Sequence, residues 1–179
     1  VSFFKSKKIN ILDIGTGSGC ILLSILKELN FSRGIGIDIS AEAIRVAKSN
    51  SKLLNLTSRS KFNVFDLSNF NFGKFDLIVS NPPYIRDQDI KKLSRDILNY
   101  EPRIALKGGI DGLDLIKKVV YKSSSLLKKN GLLAIEIGND QYKKVSFILK
   151  KCGFREMSKV YDYNNNVRCI ISTKTVFFK

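Results

Sequence analysis

Residues 76–84 read Asp76-Leu77-Ile78-Val79-Ser80-Asn81-Pro82-Pro83-Tyr84, a short apolar run followed by an amide, two prolines and a phenol. The run at 77–79 carries no charge, which is typical of a parallel strand buried on both faces. Proline cannot continue the hydrogen-bond ladder of a sheet, because it lacks an N–H donor and has a fixed φ. We therefore expect Asn81 just past the carboxyl end of a central strand, where open α/β sheets bind their ligands.

Apolar segments with strand and helix periodicity alternate on both sides of this stretch. They predict seven strands, at residues 9–14, 34–39, 61–65, 75–79, 132–137, 155–161 and 168–173. They predict helices at 20–29, 41–54, near 90–98, 112–129 and 142–151, with Ser40 as an N-cap and Asn130-Gly131 as a C-cap. This alternation indicates an α/β fold with a doubly wound, mostly parallel, seven-stranded sheet. The last two strands, joined at Asn164-Asn165-Asn166, are expected to form a hairpin that supplies an antiparallel C-terminal edge strand.

Length and composition limit the class of protein. The 179 residues fit a single domain, 1–179. The chain begins at Val1 and its first predicted strand follows almost at once, so we expect it to be a shortened piece of a longer protein. No apolar run approaches the ~18 residues of a membrane span. The three cysteines show no CxxC spacing, which is typical of a reducing cytoplasm, and we expect a cytoplasmic protein.

Charge and histidine content limit the chemistry. The formal net charge of +15 is compatible with an RNA-rich partner such as the ribosome. The lysines are spread over several predicted helices, however, which is typical of a solvated surface, so direct nucleic-acid binding is not expected but stays open. The chain contains no histidine, which excludes Ser-His-Asp and Cys-His catalysis, histidine bases and HExxH zinc sites. The chemistry must rely on carboxylates, amides, tyrosine or a cofactor, and we expect no metal.

A glycine loop follows the first predicted strand and reads Gly15-Thr16-Gly17-Ser18-Gly19. Glycines allow the backbone to turn tightly and to approach a ligand without a Cβ clash. The spacing is GxGxG, whereas the dinucleotide fingerprint is GxGxxG, and no Walker lysine follows. By itself such a loop can also serve helix–strand packing alone.

Two aspartates follow at the ends of the next two predicted strands. Asp38 lies 23 residues after Gly15 and can accept hydrogen bonds from both hydroxyls of a ribose. Asp66 can accept a hydrogen bond from the amino group of an adenine. Each aspartate alone is typical of a strand-end cap, but a glycine loop and two aspartates on three successive strand ends predict a nucleoside cofactor.

This pattern resembles the S-adenosylmethionine-dependent methyltransferases, which implies their Rossmann-like fold and S-adenosyl-L-methionine as the cofactor. In that superfamily an (Asn/Asp)-Pro-Pro-(Tyr/Phe) corner, here Asn81-Pro82-Pro83-Tyr84, marks enzymes that methylate a planar nitrogen of adenine or of a glutamine amide. The carbonyl oxygens of Asn81 and Pro82 can accept hydrogen bonds from the two N–H groups of such a nitrogen, and Tyr84 can lie against the flat amide. The alternative is a Pro-Pro turn that only ends a strand.

Two further segments resemble the peptide chain release factor N5-glutamine methyltransferases. They are Tyr100-Glu101-Pro102-Arg103-Ile104-Ala105-Leu106 and Gly108-Gly109-Ile110-Asp111-Gly112-Leu113-Asp114, and the resemblance covers residues 9–173. It implies transfer of a methyl group from S-adenosyl-L-methionine to the side-chain amide nitrogen of a glutamine in a peptide chain release factor. Taken alone, these segments are a loop and a turn. A ribosomal-protein glutamine methyltransferase, a nucleic-acid adenine-N6 methyltransferase and a cofactor-binding domain without catalysis stay open.

The resemblance also implies roles for individual residues. The cofactor site would contain Gly15, Thr16, Gly17, Ser18, Gly19, Asp38, Asp66, Leu67 and Asn81. The substrate glutamine would contact Asn81, Pro82, Pro83 and Tyr84, with Asn81, Pro82 and Tyr84 as the catalytic residues. The family carries an N-terminal helical domain and a Pro-Arg-Pro segment before the glycine loop, which help to bind the release factor. The 179 residues contain neither, so we expect the catalytic domain alone.

Overall fold

The computed structural model describes Phe4, residues 7–92 and residues 107–175. Its strands are β1 (Asn10–Ile14), β2 (Arg33–Asp38), β3 (Ser60–Val64), β4 (Phe75–Ser80), β5 (Leu127–Glu136), β6 (Phe154–Tyr161) and β7 (Val167–Lys174). Its helices are α1 (Cys20–Glu28), α2 (Ala41–Leu53), α3 (Asp114–Leu126) and α4 (Tyr142–Lys151), with short 3-10 turns at Leu67–Asn69 and Ile90–Lys92. The remainder of the helix predicted near 90–98, and the segment 100–106, lie outside the described residues.

The seven strands form one sheet in the order β3-β2-β1-β4-β5-β7-β6. The pairs from β3 to β5 are parallel, whereas β7 is antiparallel to both β5 and β6. The predicted mostly parallel sheet with an antiparallel C-terminal hairpin at its edge is confirmed, and β6 is the outermost strand. The chain reverses its direction of winding between β1 and β4, which makes the carboxyl ends of these two strands the switch point of the sheet.

Apolar side chains cover both faces of the sheet. On one face, Ile78 of β4 packs in a cluster with residues of α3 and α4 such as Ile116 and Val145. On the other face, Leu77 and Val79 pack in a second cluster with residues of α1 and α2. The strand β4 is therefore buried on both faces, as its lack of charge predicts. Burial of each large aliphatic side chain contributes about 1.5–3 kcal/mol, so this run holds β4 at the centre of the sheet.

The predicted helix 112–129 with a C-cap at Asn130-Gly131 is wrong at both ends. Gly112 has a φ of 72°, which a helix cannot contain, and α3 starts at Asp114. At the other end Leu127 is extended and buried and pairs with Phe75, so β5 follows α3 without a loop. Asn130, with a φ of 61°, lies where the register between β4 and β5 shifts, and it therefore belongs to a bulge.

The helices of the described part of the chain are all too short or too polar to cross a membrane. The N-cap predicted at Ser40 is confirmed, because its hydroxyl accepts a hydrogen bond from the Ala43 N–H at 3.2 Å.

Candidate active site at the switch point of the sheet

The glycine loop after β1 is anchored to its neighbours by backbone hydrogen bonds. The N–H groups of Gly15 and Thr16 both donate to the Ile37 carbonyl at the end of β2, at 2.9 and 3.0 Å. The Asn50 side chain on α2 donates to the Ser18 carbonyl at 3.0 Å. These bonds anchor the loop to β2 and α2.

Three glycines give this loop its shape. Gly15, Gly17 and Gly19 have φ values of 69°, 54° and 79°, a region that side chains with a Cβ rarely adopt. A Cβ added at Gly15 or Gly17 would meet no atom within 4 Å, whereas one at Gly19 would meet the Phe62 ring at 2.9 Å. Gly19 therefore serves packing, while Gly15 and Gly17 present an open backbone surface that a ligand can approach.

Asp38 connects the glycine loop to the start of α2. Its Oδ2 accepts the Gly17 N–H and its Oδ1 accepts the Ser40 N–H, each at 2.9 Å. A carboxylate offers about four lone-pair positions, so two remain after these bonds. The half-buried Asp38 can therefore hold the loop and accept hydroxyl groups of a ligand at the same time.

Asp66 and Leu67 are less directed towards a ligand than the glycine loop. The exposed Asp66 caps the turn Leu67–Asn69, since its Oδ1 accepts the Ser68 N–H at 2.7 Å. This hydrogen bond lowers the pKa of Asp66. The Leu67 side chain is buried in the core, which leaves only its backbone for a ligand contact. Asp66 therefore acts as a cap, which is the alternative to a cofactor contact that the sequence leaves open.

The corner after β4 lies beside the glycine loop. Ile14 and Ser80 are paired residues of β1 and β4, and the buried Ser80 hydroxyl donates to the Ile14 carbonyl at 2.8 Å. Pro82 is buried, while Asn81 is exposed and its side chain makes no hydrogen bond to any residue that the structure describes. The structure thus brings the two predicted motifs to the ends of neighbouring strands, and the second motif begins with an exposed amide.

The Tyr84 phenol is held by one charged residue of β5 and one of β7. It donates to Glu136 Oε1 at 3.2 Å and accepts from Arg168 Nη2 at 2.8 Å. Burial raises the pKa of the Tyr84 phenol and Glu136 raises it further, while the Arg168 guanidinium opposes this. The phenol is therefore protonated at physiological pH, and its two hydrogen bonds hold the ring in place. Glu136 and Arg168 are absent from the sequence-based prediction, because only the pairing of β4 with β5 and of β5 with β7 brings them to Tyr84.

Asp13 is a buried acid next to the glycine loop that the sequence-based prediction did not single out. It is 1% exposed in β1, and its Oδ2 accepts the Thr16 hydroxyl at 2.7 Å, while its Oδ1 has no hydrogen-bond partner. Burial raises the pKa of Asp13 from 3.8 to about 6. An unpaired carboxylate oxygen under the glycine loop favours a ligand that brings a positive charge. The signal in the sequence is a charge in an otherwise apolar strand.

A family model described as a methyltransferase domain matches residues 5–175 of the chain. The chain belongs to this family of methyltransferase domains. Among the residues of this methyltransferase domain that the structure describes, no group of three or more His, Cys, Asp or Glu side chains could hold a metal ion.

The domain is also similar to longer proteins. It is 42% identical over 167 residues to the release factor glutamine methyltransferase of Clostridium acetobutylicum, which covers 92% of this chain and 59% of that relative. It is 44% identical over 170 residues to the release factor glutamine methyltransferase of Fusobacterium nucleatum, which covers 93% of this chain and 48% of that relative. This methyltransferase domain thus spans about half the length of the relatives it matches.

A solved structure supports the fold. The ribosomal protein L11 methylase from Lactobacillus delbrueckii subsp. bulgaricus superposes with a TM-score of 0.69, covering 97% of this chain and 74% of that one, at 21% identity. At this identity the likeness concerns the fold alone, and it agrees with the methyltransferase-domain assignment.

The ligand-free methyltransferase domain should lose stability as the pH rises from about 4 to about 6 because of Asp13. Its pKa in the folded chain lies above the ordinary 3.8, so this contribution to the free energy of unfolding is complete below about pH 4 and is lost as the pH rises through about 6. The loss is about 3 kcal/mol at ~1.4 kcal/mol per pH unit. Asp13→Asn, whose amide is neutral, should remove it. Urea denaturation at acidic and neutral pH measures the effect, and an equal pH dependence in both proteins would contradict it.

Proposed function

We propose that this domain transfers a methyl group from S-adenosyl-L-methionine to the side-chain amide nitrogen of a glutamine in a peptide chain release factor. The observation that carries the proposal is the position of Asn81, an exposed and unpaired amide next to a glycine loop with an open face. Two relatives that bear the name release factor glutamine methyltransferase support it. The proposed substrate implies a cytoplasmic reaction, and association with ribosomes stays a prediction.

The residues around the glycine loop fit the cofactor in shape and charge. S-adenosylmethionine, when bound, supplies an electrophilic methyl group on a sulfonium. Gly15 and Gly17 offer a backbone surface without side chains, and Asp38 keeps lone pairs for the two ribose hydroxyls. The buried Asp13 carboxylate would act on the positive part of the cofactor through its negative charge and not by direct contact. Asp66 would contact the adenine of the cofactor through a carboxylate oxygen, and Leu67 would contact it through its backbone.

The corner after β4 would hold the substrate glutamine. An amide nitrogen is a poor nucleophile because its lone pair is delocalised into the carbonyl group. The carbonyl oxygens of Asn81 and Pro82 would accept hydrogen bonds from the two N–H groups of the substrate amide. These bonds would orient the nitrogen towards the methyl donor. Pro82 and Pro83 reduce the conformational freedom of this corner. Tyr84, held through its phenol, would offer its ring to the flat amide.

A labelling experiment tests this function. Protein expressed from its complete reading frame is incubated with S-adenosylmethionine that carries a labelled methyl group and, in parallel, with purified release factor, ribosomal proteins, DNA or RNA. We expect label in the release factor, on one glutamine by mass spectrometry, and none after that glutamine is changed to asparagine. Label in ribosomal protein would identify the ribosomal-protein alternative. Label in nucleic acid, which the net charge of +15 allows, would identify the adenine alternative.

A further inference from the structure

Gln141 is a buried glutamine whose carboxamide is fully used. It precedes α4 and is 3% exposed, but its side chain does not cap that helix. Its Oε1 accepts the Gly138 N–H at 2.9 Å. Its Nε2 donates to the carbonyl oxygens of Tyr84 and Gly112, each at 3.0 Å. The amide group thus donates hydrogen bonds to two different loops, at Tyr84 and Gly112, and accepts one from a third loop at Gly138.

These three loops meet at the Tyr84 carbonyl with no space to spare. A Cβ at Gly112 would lie 2.4 Å from the Tyr84 oxygen and 2.6 Å from Gln141 Nε2, and one at Gly108 would lie 2.9 Å from the Tyr84 carbonyl carbon. Backbone bonds add to this contact, since the Gly108 N–H donates to the Ile85 carbonyl at 2.8 Å. The segment 108–112 therefore packs directly against the end of the catalytic corner.

The polarity of Gln141 follows from this contact. A buried carbonyl that loses its hydrogen-bond partner destabilises the folded state, and an apolar side chain at 141 would leave two such carbonyls, on Tyr84 and Gly112. An amide is the one uncharged side-chain group that offers two N–H donors and an acceptor together. The buried amide therefore serves the loops around the corner and not the helix that follows it.

We propose that Gln141 is a positioning residue for the methyl transfer, which fixes the backbone of Tyr84 and, through it, the corner that holds the substrate amide. The proposal rests on the proposed function. It is independent of the bonds from Glu136 and Arg168, which hold the phenol at the other end of the same residue. The glycine loop and Asp38 are not among the partners of Gln141, so the binding of the cofactor should not depend on it.

The test compares Gln141→Met with Gln88→Met in protein from the complete reading frame. Gln88 is an exposed glutamine in the turn that follows the corner, so it serves as a matched control. For Gln141→Met we expect kcat to fall about ten-fold or more, with the cofactor Kd from calorimetry within two-fold of the wild type. The control should leave both unchanged. A folded Gln141→Met protein with wild-type kcat, or with a weakened cofactor Kd as its only change, would overturn the proposal.

A second variant covers the case in which Gln141→Met does not fold. Gln141→Asn keeps the carboxamide but is one methylene shorter, so it cannot reach all three loops, and it should show a smaller fall in kcat with the same cofactor Kd. Thermal unfolding identifies the folded proteins. If neither variant folds, Gln141 is a structural residue and the proposal is wrong.

Hydrogen exchange separates this proposal from the proposed function. If the wild type modifies no release factor, the proposed function fails, but the effect of the Gln141 hydrogen bonds on the three loops can still be measured. The Gly138 N–H, which donates to Gln141, should exchange faster in the Gln141 variants while the glycine-loop amides keep their wild-type rates. Equal exchange rates of the Gly138 N–H in the wild type and the variants would show that Gln141 does not hold these loops, whatever the substrate is.

Discussion

Asn81→Ala should lower kcat/KM for methyl transfer to a release factor by about 10³-fold, comparable with the loss of a preorganised polar group from other active sites. The Asn81 carbonyl is one of the two acceptors proposed to orient the substrate nitrogen, and an alanine leaves that N–H without a partner. The side chain is exposed and unbonded, so the free energy of unfolding should change by less than about 0.5 kcal/mol. Steady-state kinetics and thermal unfolding measure the two effects.

Two variants control this prediction. Asn63→Ala removes another exposed asparagine, on the edge strand β3, and should leave kinetics and stability unchanged. Asn81→Asp keeps acceptor oxygens at the corner and should retain more activity than Asn81→Ala. The proposed function would be wrong if Asn81→Ala transferred methyl groups to the release factor at the wild-type rate.

The parts of the site that the sequence predicts are those that depend on local chemistry. An uncharged run followed by two prolines has few structures open to it, so the position of Asn81 at the end of a central strand follows from residues 77–83 alone. The glycine loop is equally local, because its positive φ values require glycine. The neighbouring positions of the two motifs follow from the usual winding of an α/β sheet.

The parts that the sequence did not predict depend on contacts between distant residues. Arg168 reaches Tyr84 across 84 residues because β7 inserts between β5 and β6, and no local pattern indicates that insertion. The bulge at Asn130 similarly depends on the pairing of Leu127 with Phe75, whereas an Asn-Gly pair after an apolar helix is locally typical of a C-cap. Gln141 looks like an ordinary residue before a helix until three loops converge on it.

Asp38→Ala should weaken the binding of S-adenosylmethionine by about 100-fold or more, because one carboxylate serves the ligand and its loop together. The variant removes two charged acceptors from the ribose hydroxyls, and hydrogen bonds to charged groups contribute about 1.5–3 kcal/mol each. It also frees the N–H of Gly17, whose bond to Asp38 helps to hold the open face of the loop. Calorimetry with S-adenosylmethionine and with its homocysteine product measures the affinity without any substrate protein.

Asp76→Ala is the control that separates these effects from a general loss of stability. Asp76 also joins strands through a backbone N–H, that of Asn10 at 2.8 Å, and it pairs with Lys128, but it lies at the amino ends of the strands, away from the glycine loop. Its loss should lower the melting temperature without changing the cofactor Kd. If Asp38→Ala and Asp76→Ala both left the affinity unchanged, the end of β2 would not be part of the cofactor site. The case for a nucleoside cofactor would then depend on the glycine loop and Asp13 alone.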